Sequence, residues 1–73
     1  MNSHIDKRLA KLLANATPQL EATQQDIASE LGTVREVVSR LLKDFELRGW
    51  INVSRGKIAI MSRAELLKYS GQT

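Results

Sequence analysis

Apolar residues recur along this chain at helical spacing in three successive segments, give way to a short strand-like stretch, and then return to helical spacing near the end. Ile5, Leu9, Leu12 and Leu13 lie on one side of a helix, with Asp6, Lys7, Arg8 and Lys11 between them. That amphipathic segment ends near 14–16. Pro18 enforces a break, because its ring has no amide donor and biases Thr17 away from helical geometry. Thr23, with Asp26 three residues on, forms an approximate capping box for a second helix and sets a carboxylate at its positive end. Ile27, Ala28 and Leu31 make the inner face of that helix, and Gly32 stops it by taking up a left-handed backbone. Thr33 then opens a third helix, with Glu36 as the matching capping-box residue. Val34, Val37, Val38, Leu41, Leu42 and Phe45 form the i, i+3, i+4, i+7, i+8, i+11 series of one helical face. Arg35, Glu36, Ser39, Arg40 and Lys43 fall together on the opposite face. Gly49, just past Arg48, is the stop.

Beyond Gly49 the period shortens. Trp50, Ile51 and Val53 make a short apolar run, Ser54, Arg55, Gly56 and Lys57 a turn, and Ile58, Ala59, Ile60 and Met61 a second run. A hairpin this small is barely stable alone and must pack on the helices. Trp50 is placed in the core between helix and hairpin. Ser62 with Glu65 forms another capping box, opening a last short helix through Leu66, Leu67 and Tyr69, after which 70–73 reads as a frayed end. The fold class is therefore mainly α with a small β-hairpin, a winged helix-turn-helix. The helix-turn-helix spans about 24–48 and the wing about 50–61, within a single domain over 1–73.

Composition narrows the chemistry. A chain of 73 residues makes one small domain. It has no cysteine, which removes disulfides and thiolate metal sites, and its one histidine, His4, reads as a mobile terminal residue that cannot build a metal site alone. No apolar run approaches the roughly 20 residues that span a bilayer, and the first residues lack the apolar core of a secretory signal. The chain thus reads as soluble and intracellular. Eleven Lys and Arg against eight Asp and Glu give a net charge of +3, a mild preference for a polyanion. No Ser-His-Asp set, paired-carboxylate cleft or phosphate loop is visible, so neither an enzyme nor a cofactor site is expected.

Taken together, Thr23-Gln24-Gln25-Asp26-Ile27-Ala28, Leu31-Gly32, Arg35-Glu36 with Ser39-Arg40, Gly49-Trp50-Ile51 and Ser54-Arg55-Gly56-Lys57-Ile58 resemble a known pattern. It is that of the C-terminal DNA-binding domain of the cyclic-AMP receptor protein and fumarate-nitrate regulator (CRP/FNR) family of bacterial transcription factors. The resemblance covers about 5–69. The glycine and alanine positions occur in many helix-turn-helix proteins, whereas the Arg-Glu-x-x-Ser-Arg helix combined with the Ser-Arg-Gly-Lys-Ile wing is far more specific.

The resemblance implies roles that the chemistry of the residues supports. Arg40 carries forked donors that match O6 and N7 of guanine, and the matching family arginine reads a guanine. Glu36 can accept from the N4 amino group of cytosine or from adenine, and the matching glutamate is used that way. Arg35 is similar to a guanine-reading arginine of the cyclic-AMP receptor branch, and Ser39 to a serine used in the fumarate-nitrate branch. The expected target is double-stranded DNA with inverted half-sites containing TGA, read by the helix over 34–48. Backbone contacts are expected from Thr23, Gln24 and Gln25 at one helix start, from Thr33 and Val34 at the next, from Lys43, and from Arg55 and Lys57 in the wing at 54–57. Gln24 stands where the family often has a basic residue, which weakens phosphate gripping there.

Each assignment has a plainer alternative. Glu36 could cap the Thr33 amide and pair with Arg40 at i+4. Ser39 could simply permit close approach, and Val34 could be core or touch a thymine methyl. The wing pair could be a solvated turn, and the Lys7, Arg8 and Lys11 cluster a solvated face. A winged helix that binds protein without specific DNA binding is the competing function. Double-stranded RNA fits poorly, because the A-form major groove does not admit a helix.

Members of the family carry an N-terminal sensor barrel and a dimerisation helix, and neither fits in this chain, so it is expected to be an isolated domain of a longer regulator, with a free-standing module as the alternative. The resemblance implies a bacterial cytoplasmic protein at the nucleoid, homodimeric at full length, with RNA polymerase as a further partner. The isolated chain is expected to be a monomer or weak dimer.

Overall fold

Reciprocal hydrogen bonds at Thr23 start the central helical pair. The Thr23 hydroxyl accepts the Asp26 N–H at 3.0 Å, and the Asp26 carboxylate accepts the Thr23 N–H at 3.2 Å. The capping box thus satisfies donors that a helix start leaves orphaned. In this computed structural model, which describes residues 4–71, the elements follow as α1 (Ile5–Asn15), β1 (Gln19–Leu20), α2 (Gln24–Leu31), α3 (Arg35–Leu47), β2 (Ile51–Ser54), β3 (Lys57–Ile60) and α4 (Arg63–Ser70). None of the helices is long and apolar enough to cross a membrane.

Gly32, at φ +71°, ends α2. Its N–H reaches the Ser29 carbonyl at 3.3 Å, and the Thr33 N–H reaches the Ala28 carbonyl at 2.9 Å. This Schellman closure commits the Thr33 amide to α2. The expected Thr33–Glu36 capping box therefore does not form, since Glu36 has no free Thr33 amide to accept. The N-cap of α3 is Val34, extended at φ −107° and ψ 155°, and no side chain caps that end. Because Val34 precedes the helix, the helical phase does not apply to it. It is 57% exposed, whereas Val38, Leu42 and Phe45 are buried. Its expected place on the inner face is corrected accordingly. Gly49, at φ +81°, closes α3 in the same manner as Gly32 closes α2, with the Trp50 N–H on the Phe45 carbonyl at 3.1 Å.

The strands form an antiparallel sheet of order β1-β3-β2. Ser54 pairs with Lys57 around the Arg55-Gly56 turn, and Gly56 takes φ +67° there. On the other side of β3, Gln19 pairs with Ala59 and Leu20 with Ile58. The expected hairpin is thus the larger part of a three-stranded sheet. Met61 lies past β3, with its side chain 63% exposed.

Phe45 joins the layers. Its ring lies 5.6 Å from Trp50 and 5.3 Å from Tyr69, so the end of α3, the sheet entry and α4 share one aromatic cluster. Trp50 is half-buried between helix and sheet, as expected. Ser62 is the N-cap of α4 by backbone only, at φ −134° and ψ 80°. Its amide is spent on the Trp50 carbonyl at 3.0 Å, so the expected Ser62–Glu65 box is absent, and Glu65 lies 3.9 Å from Lys68. His4, expected to be a mobile end, is the N-cap residue of α1, and its carbonyl accepts the Arg8 N–H at 2.9 Å. Of the expected frayed end, Ser70 closes α4 and Gly71 caps it, while residues 72 and 73 lie outside the described residues.

Candidate nucleic-acid interface

The face of α3 that reaches solvent is set by the face that packs. With Val38, Leu42 and Phe45 turned into the core, the 100° advance per residue sends Arg35, Glu36, Ser39, Arg40 and Lys43 outward, and all five are exposed. Two hollows flank this stripe. A hollow of about 450 Å³ is lined by Thr23, Gln24 and Gln25 from the start of α2, Arg35 from the start of α3, and Arg55 and Gly56 from the wing tip. A smaller one of about 200 Å³ is lined by Gln24, Ser39, Lys43, Glu46 and Val53.

The fold therefore brings Arg35 together with the first turn of α2 and the wing, and Ser39 and Lys43 together with Gln24. Glu36 and Arg40 line neither hollow and stand on the open side of α3. Lys57 is exposed at the base of the wing turn, opposite Ser54, and Thr33 is half-buried in the turn between α2 and α3.

Among the described residues the ion pairs are Arg48 with Asp44 at 3.2 Å and Lys68 with Glu65 at 3.9 Å. Arg35, Arg40, Lys43, Arg55 and Lys57 thus carry their charge without a carboxylate partner, and the Glu36–Arg40 pair considered from the i+4 spacing is not made. Arg48 is committed differently. Its guanidinium lies 5.0 Å from the Trp50 ring centroid and 5.7 Å from that of Tyr69, which holds it against the aromatic cluster.

One residue that organises this surface was not singled out in the sequence. The Glu46 carboxylate accepts the Val53 N–H at 3.0 Å. Strand β2 lies at the sheet edge, so this bond ties the wing to α3. The available signal was electrostatic: Glu46 sits in the last turn of α3, where the helix dipole disfavours a carboxylate, so a compensating partner was to be sought.

The model of the Crp-like helix-turn-helix domain matches residues 7–69 of the chain. A Mycobacterium tuberculosis protein named CRP-like cAMP-activated global transcriptional regulator is 43% identical over 47 residues, which is 64% of this chain and 20% of that protein. The chain thus spans about a fifth of the length of this curated relative. Among solved structures, one titled as a regulator of the crp/fnr family from Eubacterium rectale superposes with a TM-score of 0.88 at 35% identity, covering 96% of this chain and 35% of that one. The CO-dependent transcription factor CooA from Carboxydothermus hydrogenoformans gives a TM-score of 0.81 at 29% identity, over 92% of this chain and 37% of that one.

Proposed function

Because the chain belongs to the Crp-like helix-turn-helix family, we propose that it is the DNA-reading head of a bacterial transcription regulator and binds double-stranded DNA in a sequence-specific way. The observation that carries this reading is the shared hollow in which Arg35, the first turn of α2 and Arg55 of the wing converge. A helix of 13 residues is about 20 Å long, and the B-DNA major groove, about 12 Å wide, admits it. With α3 in the groove, the convex stripe faces base edges while the start of α2 and the wing flank the sugar-phosphate walls.

In this reading Arg40 and Arg35 donate to guanine O6 and N7, and Glu36 accepts from a cytosine or adenine amino group. Ser39 lies between them and adjusts to the adjoining base. Thr23, Gln24, Gln25, Thr33, Lys43, Arg55 and Lys57 hold phosphates, which fixes register without reading sequence. The target is a TGA-containing half-site repeated in inverted order. A full-length homodimer would set two heads one helical turn apart; a lone head binds one half-site weakly. A cytoplasmic, nucleoid-bound location and contact with RNA polymerase belong to that larger assembly.

Methylation interference tests the placement of α3. Methylating N7 of the core guanine removes an acceptor in the major groove, so the reading predicts loss of binding at that base. Unchanged binding with every guanine of the half-site methylated would contradict it.

A further inference from the structure

Val34 is an apolar side chain placed where a polar one is favoured. N-cap positions select Ser, Thr, Asp or Asn, whose oxygens satisfy the first amides, and valine is among the poorest choices. Yet Val34 is the N-cap residue of α3, makes no side-chain cap, and is 57% exposed immediately before Arg35. Burial does not account for it, nor does helix initiation. Its side chain has no donor for a phosphate, so any phosphate contact there is limited to the backbone.

We infer that Val34 is a specificity residue that packs against the C5-methyl of a thymine in the major groove. This rests on the proposed placement of α3 and adds the identity of a base beyond those read by hydrogen bonds. Thymine is the one base that presents a methyl group in that groove, and apolar contact is how it is read. Val34 directly precedes Arg35 on the exposed start of α3, so the two side chains reach neighbouring parts of the same half-site. The methyl of the TGA thymine, or of the thymine opposite its adenine, is the candidate.

The test replaces each thymine of a TGA-bearing duplex, on either strand, singly with deoxyuridine, which removes the methyl and nothing else. The 73-residue chain and its Val34→Ser variant are titrated against the series. The serine supplies a capping hydroxyl, so the variant should fold at least as well as the parent, and circular dichroism melting checks this. One deoxyuridine should weaken the parent about fourfold, the partition of a single methyl group, and leave Val34→Ser unaffected. If no thymine methyl matters, or if one matters equally to both proteins, the inference fails while specific binding stands. Failure of the parent to prefer the unmodified duplex over a scrambled one would instead overturn the DNA-reading function and this inference with it.

Discussion

The Tyr69 hydroxyl donates a 2.7 Å hydrogen bond to the Asp6 carboxylate, fastening α4 to the start of α1 across 63 residues of sequence. The same ring packs edge-on against Phe45 at 5.3 Å and Trp50 at 5.6 Å, so the first and last helices are locked to the base of α3. The exposed stripe of α3 thus stands on a braced support.

This bond makes stability depend on pH at both extremes. The Tyr69 hydroxyl holds the Asp6 carboxyl below its ordinary 3.8, outweighing partial burial, with the Lys7 amide assisting. A lowered carboxyl pKa contributes stability that is complete above 3.8 and is lost as pH falls through the folded value. Conversely, the Asp6 carboxylate and partial burial raise Tyr69 above 10.0, giving stability that is present below 10.0 and lost as pH rises through the folded value. Tyr69→Phe keeps the ring and should cost about 1–2 kcal/mol at neutral pH. Melting temperatures against pH should show both limbs flattened in the variant; parallel curves for the two proteins would contradict the linkage.

The two threonines that precede helices make opposite predictions. Thr23→Ala removes a formed cap and should cost about 1 kcal/mol, a fall of roughly 4–8 °C in Tm for a domain of this size. Thr33→Ala should change Tm little, because only its backbone amide is engaged. Equal losses would show that Thr33 caps α3 after all.

Those threonines also mark how far local pattern carries. Gly32 and Gly49 were legible as helix stops because positive φ is a demand few other residues meet, and the Thr23–Asp26 box was legible because both its bonds are local. Thr33 and Ser62 present the same spacing, but their amides are spent on Ala28 and Trp50, contacts that the spacing cannot report. Strand β1 has two residues, too few to show a period, and exists because β3 offers a free edge to Gln19 and Leu20. Within the candidate site, the stripe from Arg35 to Lys43 followed from helical phase alone. Val34 broke that phase by lying before the helix, and the Glu46–Val53 bond depends on how α3 meets the sheet.

Glu46 should govern the order of the wing more than global stability. The Val53 amide is at an exposed strand edge, where water replaces a lost acceptor, so Glu46→Ala should cost less than about 1 kcal/mol. Its signature is faster hydrogen exchange at the Val53 amide, largely restored in Glu46→Gln, which keeps an acceptor oxygen. Unchanged exchange in Glu46→Ala would remove the carboxylate as the tie between wing and helix.

Gly32→Ala isolates backbone strain. A Cβ added there meets nothing within 4 Å, so no clash contributes, and the left-handed φ of +71° should cost about 1–2 kcal/mol. Chemical denaturation measures it; an unchanged midpoint would refute the strained turn.

Base reading and phosphate holding separate by substitution. Arg40→Ala should cost about 1–3 kcal/mol on the TGA duplex and little on a scrambled one, whereas Lys57→Ala should weaken both alike and reduce the salt slope by about one unit. Identical behaviour of the two variants would mean that their roles are misassigned.

Sequence-specific binding itself is tested most directly by fluorescence-anisotropy titration of the 73-residue chain against a duplex with two inverted TGA-containing half-sites and against a scrambled duplex, at low and high salt. Tighter binding to the first at both salts, with affinity for each duplex falling as salt rises, is the predicted result. Equal affinity for the two duplexes, or no binding even at low salt, would contradict it.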